Sequence, residues 1–535
     1  MRLRVWLEQS TKNTESRFML FCAVAAIFYT FRLGSWSLGA SEAYSALAAS
    51  QGSVAGTIQE ALRFDPGKLP FYHVLLHSFV KLFGNNETTL RGFSAIFALA
   101  SLLPLFSLGC SMFASETALA AVAIWAVNPI ALFLGQWARM YSLFIATALM
   151  SMLSFWKVRE QTSTRWIAAF ALCTALMLYT HLGGLLFVGA ELAVLTRDFR
   201  EGRSVRGACT GMAAAFILFM PVVPCETGQA RALLFAHWLD WIGTAHFSWC
   251  LSRALTSLIA VAVMLLLVFG PPFETDEREP IRFCSIWLIT PILVLAAISI
   301  IVRPVFAPRY VSPAIPALGL LLARGIEVFG PKARNLSTAG IVTAFVVLFL
   351  FCKAARYEPW LDIARDVASA SAKEPVFFES PLGARKVRGG AQLNEQFDTD
   401  FPQGFLKVPF DYYFSGANPR RVVNPFEPSR TRQQLRSAAL QAGGAWLVSG
   451  SSDQIAAAEM PQVAGCRVTR VLHAGETNLY HVVAITPREC RNDGSPDGDS
   501  GEVDRRGIKI PSERGFSSCE SDLAQEGQSR NGLGS

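Results

Sequence analysis

The chain has 535 residues, of which 52% are hydrophobic and only 17% charged. Soluble proteins carry about a quarter charged residues, so this deficit, with a mean hydropathy of +0.34, excludes an ordinary soluble multidomain protein. The formal net charge is +7, but the excess Lys and Arg sits mostly in short loops between apolar runs. No basic patch with interleaved aromatics marks a soluble domain, which argues against nucleic acid as a partner.

Arg2, Arg4, Lys12 and Arg17 precede an apolar run at 18–31. No small-x-small cleavage site follows closely, so the run reads as an uncleaved first span after a cytoplasmic tail at 1–16. Apolar runs lie near 17–37, 90–112, 117–135, 140–157, 165–179, 182–197, 207–224, 251–270, 283–302, 310–329 and 336–353. With roughly 20 apolar residues needed per span, they predict an all-α polytopic transmembrane bundle of about eleven spans over 17–353. Segments 157–165, 197–206 and 324–334 are net positive and fall on the side of the N-terminal tail; the acidic loop 271–282 does not fit that pattern. An odd number of spans places the chain after the last one outside the cytoplasm.

The stretch 38–89 reads as an external loop. Within it, GKLPFYHVLLHSFVKLFG (67–84) has a helical part too short to cross a bilayer. His73, His77 and Lys81 share one helical face, and Leu75, Leu76, Phe79, Leu82 and Phe83 cover much of the rest, as in a helix lying at the membrane surface. After Cys352 the composition changes. The runs 375–379, 445–450, 466–472 and 478–486 are β-like and 435–442 is helical. They predict a small α/β domain over 354–490, extracytoplasmic by the span count. Residues 491–535 are rich in Gly, Ser, Asp and Glu and read as a disordered tail. Of eleven cysteines, Cys225 with Cys250 and Cys466 with Cys490 flank external segments. Each pair reads equally as a disulfide or as free thiols.

On the predicted external side the chain collects groups that do chemistry. They are Glu42 and Tyr44; Asp65 and Lys68 through Tyr72; Arg139 and Tyr141; Tyr179 and His181; His237, Asp240 and His246; and Arg303, Arg309 and Tyr310. Ionisable groups at a bundle mouth are costly and tend to be paired or functional. Arginines and a lysine beside tyrosines suit a phosphate, and a nearby carboxylate suits a general base. Together they fit displacement of a lipid-linked phosphate leaving group. Plainer readings stand beside this one. Arg139 and Arg309 also suit headgroup anchors, the tyrosines an interfacial belt, and Asp65-Pro66-Gly67 a turn. His73 and His77 have metal-ligand spacing but no identifiable third ligand.

From about 30 to 330 the chain resembles the bacterial lipid-linked-sugar glycosyltransferases of the GT-C type, which include protein O-mannosyltransferases and the aminoarabinose transferases of lipid A. The resemblance is carried, in order, by SEAYSALAA (41–49), by GKLPFYHVLLHSFVKLFG followed by ETTLRGFSAIFAL, by ARMYSLFIATAL, by LYTHLGGLLF and by RPVFAPRYVSPAIPAL. It implies transfer of a sugar from a polyprenyl-phosphate donor to an extracytoplasmic acceptor (lipid, glycan or protein), with inversion, in a bacterial plasma membrane. On this resemblance Glu42 and Asp65 are the catalytic candidates. Lys68, Tyr72, Arg139, Tyr141, Arg309 and Tyr310 are the donor phosphate and lipid contacts. Tyr44, His77 and His181 are candidates for the sugar or acceptor. No cofactor is called for, and a divalent metal stays open. Three positions depart from the pattern: Ser41 stands where the family has its first acid, Trp137 where an acid often precedes the arginine, and Leu69 where the first proline of a pair lies. The base is therefore Glu42, Asp65 or a residue one step out of this alignment, or the chain is a non-catalytic member that keeps the fold. A transporter would show paired broken spans and internal repeats, and the sequence has neither.

Overall fold

A computed structural model describes residues 2–64, 69–224, 277–302, 306–327, 329–351, 359–379, 407–423, 428–450, 463, 466–474 and 477–484. The chain divides into two compact units, Met1–Glu358 with Gly390–Tyr412, and Pro359–Gly389 with Tyr413–Ser535.

The first unit is helical: α1 (Arg2–Thr30), α2 (Ala40–Ala49), α3 (Val54–Phe64), α4 (Phe71–Phe83), α5 (Glu87–Ala100), α6 (Leu102–Met112), α7 (Ser115–Ala126), α8 (Pro129–Gly135), α9 (Tyr141–Glu160), α10 (Thr164–Thr180), α11 (Gly184–Arg200), α12 (Arg206–Phe219), α13 (Arg278–Ile301), α14 (Ile315–Glu327) and α15 (Pro331–Phe351). Each apolar run expected to span, apart from 251–270, which lies outside the described residues, coincides with one of these helices or with a consecutive pair. Three helical stretches among the described residues are long and apolar enough to cross a membrane, or four if the bent pair α7–α8 counts as one. Helix α1 also takes in the expected tail.

Local chemistry explains the breaks. Asn128 caps α8, its side-chain oxygen accepting from the Ile130 and Ala131 amides at 2.9 and 3.3 Å. Pro129 cannot continue the preceding helix, so α7 and α8 meet at 59°. Gly135, at the end of α8, lies so close to the Tyr29 ring that a Cβ there would come within 2.3 Å of it. That approach brings the segment after α8 against the end of α1 and the start of α2. In the bundle interior, Ser151 donates to Glu191 at 2.7 Å and pairs with Thr174 at 2.7 Å, tying α9, α11 and α10 together.

One pole of the bundle is ionic. Arg159 donates to Asp198 at 2.6 and 2.9 Å and also to Glu279; Arg197 meets Glu279, and Arg324 meets Glu277. Arg17 grips Glu116 at 2.7 Å. The acidic loop 271–282, which did not fit the loop-charge pattern, therefore supplies Glu277 and Glu279 as counter-ions to the basic loops.

The face of α4 also differs from its sequence reading. His73 and His77 are buried with Tyr72, Leu76 and Val80, while Leu82 and Phe83 are exposed. The histidines lie on the protein-facing side because Tyr72 and Leu76 carry that side into the core, and the His77 ring nitrogen Nδ1 meets the Ala49 carbonyl at 2.8 Å. Tyr412, expected in the terminal domain, belongs to the helical unit, where its hydroxyl donates to the Asn85 carbonyl at 3.2 Å.

The second unit holds a five-stranded sheet: β1 (Val376–Glu379), β2 (Arg420–Val423), β3 (Gly444–Gly450), β4 (Cys466–Ala474) and β5 (Thr477–Ala484), in the order β2-β1-β3-β5-β4. Strand β1 pairs in parallel with β2 and β3, while β5 pairs antiparallel with β3 and β4. The four expected strands form; β2 and the helix Trp360–Ala368 are additions. Helix Pro428–Ala442 buries Leu435 and Ala439 with Phe377, Leu447 and Val482. Cys225, Cys250, Cys490 and the tail 491–535 lie outside the described residues.

Candidate active site

The pole opposite the ionic contacts is organised by Glu42. Helix α2 starts after Gly39, so Glu42 falls in its first turn and its Oε2 accepts from the Gly39 amide at 3.0 Å. Arg91 of α5 closes on the same carboxylate with both arms of its fork, Nε to Oε1 at 2.9 Å and Nη2 to Oε2 at 2.7 Å. The Ala138 amide adds a fourth donor at 3.0 Å. Burial alone pushes a carboxyl up, but the hydrogen bonds and charge of Arg91, with the two amides, hold Glu42 below the usual carboxylate range. Four donors thus converge on the Glu42 carboxylate and tie α2, α5 and the segment before α9 together. Arg91 goes on to donate to the carbonyls of Leu33, Trp36 and Ser37 at 2.8, 3.0 and 2.9 Å, pinning the turn after α1.

Because Ala138 is held by Glu42, the neighbouring Arg139 is held against α2. Arg139 is almost fully buried, and its Nη1 donates to the Ser41 carbonyl at 3.0 Å and the Ser45 hydroxyl at 3.3 Å. Its own carbonyl accepts from Ser94 at 3.3 Å, and Ser94 in turn pairs with the Tyr72 hydroxyl at 3.0 Å. Burial pushes the Tyr72 hydroxyl above its ordinary range, so it remains a neutral donor.

An aromatic chain leaves the same loop. Trp137 stacks on Tyr141 with ring centres 5.3 Å apart, Tyr141 meets His181 at 5.7 Å, and His181 meets Tyr310 at 5.1 Å. The Arg309 guanidinium lies 5.2 Å over the Tyr310 ring. His181, just past the end of α10, accepts the Gly183 amide on Nδ1 at 2.8 Å. That acceptor role places the proton of the neutral ring on Nε2. A Cβ on Gly183 would come within 2.9 Å of the same nitrogen.

The structure thus joins Glu42, Tyr72, Arg139, Tyr141, His181, Arg309 and Tyr310 into one constellation. Tyr44 is buried in α2, and His77 bonds to the end of α2 instead. Asp65, Lys68, Arg303, His237, Asp240 and His246 lie outside the described residues. Sequence reading missed Arg91, Ser94 and Gln136. An arginine inside an apolar run was the available signal for the first. Among the described residues no three His, Cys, Asp or Glu side chains converge on a metal position, and the occupied carboxylate of Glu42 does not suit one.

A cavity of about 160 Å³ opens beside Glu42, lined by Arg32, Trp36, Ser41, Arg91, Gln136 and Trp137 among others. A larger one, about 390 Å³, lies at the ionic pole between α1, α7 and α15. It is mostly apolar, its charged residues Arg17, Glu116 and Arg334 are joined in ion pairs, and it is remote from this chemistry.

Residues 66–224 match the family model described as dolichyl-phosphate-mannose-protein mannosyltransferase. The fold resembles the crystal structure of ArnT from Cupriavidus metallidurans bound to undecaprenyl phosphate, at 15% identity over 86% of this chain and 97% of that one, with a TM-score of 0.51. The apo state of the same protein gives 14% identity, the same coverage and a TM-score of 0.52. An Archaeoglobus fulgidus oligosaccharyltransferase, in complex with Zn and sulfate, aligns at 13% identity over 81% of this chain and 68% of that one, with a TM-score of 0.45. No protein of curated function matches the chain by sequence.

Proposed function

We propose, from the premise that this chain is of the GT-C type, that it is a membrane glycosyltransferase moving a sugar from a polyprenyl-phosphate donor to an extracytoplasmic acceptor. The observation that carries this reading is the buried Arg139, fixed between α2 and the start of α9 and joined to the Tyr72–Ser94 pair. Arginine forks suit phosphate oxygens and tolerate burial better than ammonium groups.

In the reaction we assign, an acceptor oxygen forms a bond to the anomeric carbon while the bond from that carbon to the phosphate oxygen breaks. A single displacement inverts the carbon. The lipid phosphate leaves with the electron pair, and Arg139 and Arg309, with Lys68, stabilise its growing charge. The acceptor proton passes to a carboxylate base. Glu42 holds Arg91 and the Ala138 amide, which supports a positioning role for it. We therefore assign the base to Asp65. His181 offers an N–H at Nε2 for a sugar or acceptor oxygen.

We place the site pole on the extracytoplasmic side of a bacterial plasma membrane and the ionic pole, with its basic loops, on the cytoplasmic side. About eleven spans and an extracytoplasmic α/β domain complete this topology. No metal is assigned.

The test is reconstitution of the full chain in proteoliposomes with a panel of undecaprenyl-phosphate sugars. We expect transfer from one donor, lost in Asp65→Asn and Arg139→Ala. Transfer that survives Asp65→Asn unchanged removes Asp65 from the chemistry. Absence of transfer from every donor, with undecaprenyl phosphate still bound, selects a non-catalytic lipid-phosphate-binding member instead. That second reading is favoured by one observation: Ser41 stands at the acid position, with its carbonyl taken up by Arg139.

A further inference from the structure

Arg32 is the residue the proposed reaction has not used. It is exposed, and among the described residues it forms no hydrogen bond or ion pair; its one described contact is with its neighbour Phe31, the guanidinium lying 5.5 Å from that ring. Its backbone is left-handed, with φ of +57°, the only non-glycine residue described in that region. For an arginine this conformation is uncommon and is retained when the surroundings fix it.

Here they do. Gln136 donates to the carbonyls of Phe28 and Phe31 at 2.8 and 3.1 Å, closing the end of α1. Arg91 donates to the carbonyls of Leu33 and Trp36, on the other side of Arg32. The two side chains that pin this turn thus come from the segment carrying Arg139 and from the partner of Glu42.

The turn places Arg32 on the wall of the 160 Å³ cavity that also holds Ser41, Glu42 and Arg91. Glu42 and Arg91 neutralise each other, so the positive charge left over in the cavity wall is that of Arg32. An acid at position 41 would cancel it, and this chain has serine there. Ile27 of α1, Phe31 just after it and Phe133 of α8 are exposed apolar groups, of the kind a lipid tail would pack on. At about 30 Å³ per water, the cavity has room for a phosphate group.

We propose that Arg32 is a further donor-binding residue: its guanidinium contacts the phosphate of the polyprenyl-phosphate lipid in the Ser41 cavity, and Gln136 is a positioning residue that holds the strained turn. This rests on the function proposed above and adds to it a contact on the α1 side of the site.

The test uses the full chain in nanodiscs of neutral lipid, titrated with undecaprenyl phosphate, with undecaprenol, and with dioleoylphosphatidic acid. Arg32→Gln should weaken undecaprenyl phosphate about 10-fold or more, as expected for a charge-assisted contact, and leave undecaprenol unchanged. Arg32→Lys should recover part of the loss. Ser41→Asp, which puts a carboxylate into the same cavity, should weaken binding in the same direction. Equal affinity in wild type and Arg32→Gln overturns the inference and leaves the proposed function standing. An equal loss for phosphatidic acid also overturns it, making Arg32 a general headgroup anchor. Wild type that binds undecaprenyl phosphate no better than undecaprenol overturns the proposed function together with it.

Discussion

Arg139 and Arg159 bracket α9, one just before its first turn and the other in its last. Both are largely buried. Arg159 is enclosed by two carboxylates, Asp198 and Glu279, and lies 5.2 Å over the Trp156 ring. Arg139 counts a backbone carbonyl and a serine hydroxyl among its contacts. Two carboxylates hold Arg159 as an ion-paired fastener, whereas the described contacts of Arg139 position its guanidinium against α2. The same side chain is thus a fastener at one pole and, in the function proposed above, a phosphate contact at the other.

The sharpest way to break this contrast is to remove each arginine in turn. Arg139→Ala should lower transfer per folded molecule by about 100-fold or more, the usual loss when a donor to developing charge is deleted. Arg159→Ala should leave transfer per folded molecule unchanged but destabilise the bundle by about 3–5 kcal/mol, because Asp198 and Glu279 lose a buried counter-ion. Proteoliposome assays normalised to folded protein, with thermal unfolding in parallel, separate the two. Equal kinetic losses at both ends of α9 would dissolve the distinction.

Arg91 tests whether the site pole also contains a fastener. Its pairing with Glu42 is as buried as the contacts of Arg159, so Arg91→Ala should cost about 3–5 kcal/mol in thermal stability. The pair also makes a pH prediction. The folded-state pKa of Glu42 is depressed, so its contribution is fully present above the ordinary carboxylate range and disappears as pH falls through the depressed value. Melting temperatures should hold from neutral pH down to the ordinary carboxylate range and fall below it. In Glu42→Gln this acid-side component should be absent, with a lower starting stability. An identical acid limb in the variant would show that other carboxylates set it.

Which of these residues the sequence revealed depended on distance along the chain. The Arg139–Tyr141 segment stood out because a cation and aromatics interrupt apolar runs. Tyr141, His181 and Tyr310 were placed on one side because each lies at a predicted helix end, but their ring contacts were not legible. The surroundings of Glu42 were not legible because its partners, Arg91 and Ala138, stand 49 and 96 positions away, and no local pattern encodes such pairings. Arg91 itself was concealed inside a run read as a span, and Arg32 owes its interest to a backbone angle. The loop 271–282 failed as a charge signal for the complementary reason: its acids answer arginines on other helices.

Gly135 offers a smaller and purely steric test. It lets α8 close on Tyr29, and a methyl group there would meet the ring. Gly135→Ala should destabilise by about 1–3 kcal/mol. Because the segment carrying Gln136 and Arg139 follows directly, it should also weaken undecaprenyl phosphate binding, whereas an equally destabilising change at the ionic pole should not. Loss of stability with unaltered lipid affinity would mean that the site loop is placed by Glu42 alone.

The smallest expected effects lie with Tyr72 and Ser94. Sequence reading makes Tyr72 a lipid-phosphate contact, yet its hydroxyl pairs with Ser94, which donates to the Arg139 carbonyl. If the hydroxyl works through that link, Tyr72→Phe and Ser94→Ala should each cost about 0.5–1.5 kcal/mol in stability and lower kcat a few-fold with little change in KM. The double variant should then be scarcely worse than either single one, since both remove the same connection to Arg139. A rise in KM for Tyr72→Phe that Ser94→Ala does not share would return the tyrosine to direct contact with the donor. The site pole would then hold its phosphate from the α4 side as well as through Arg139.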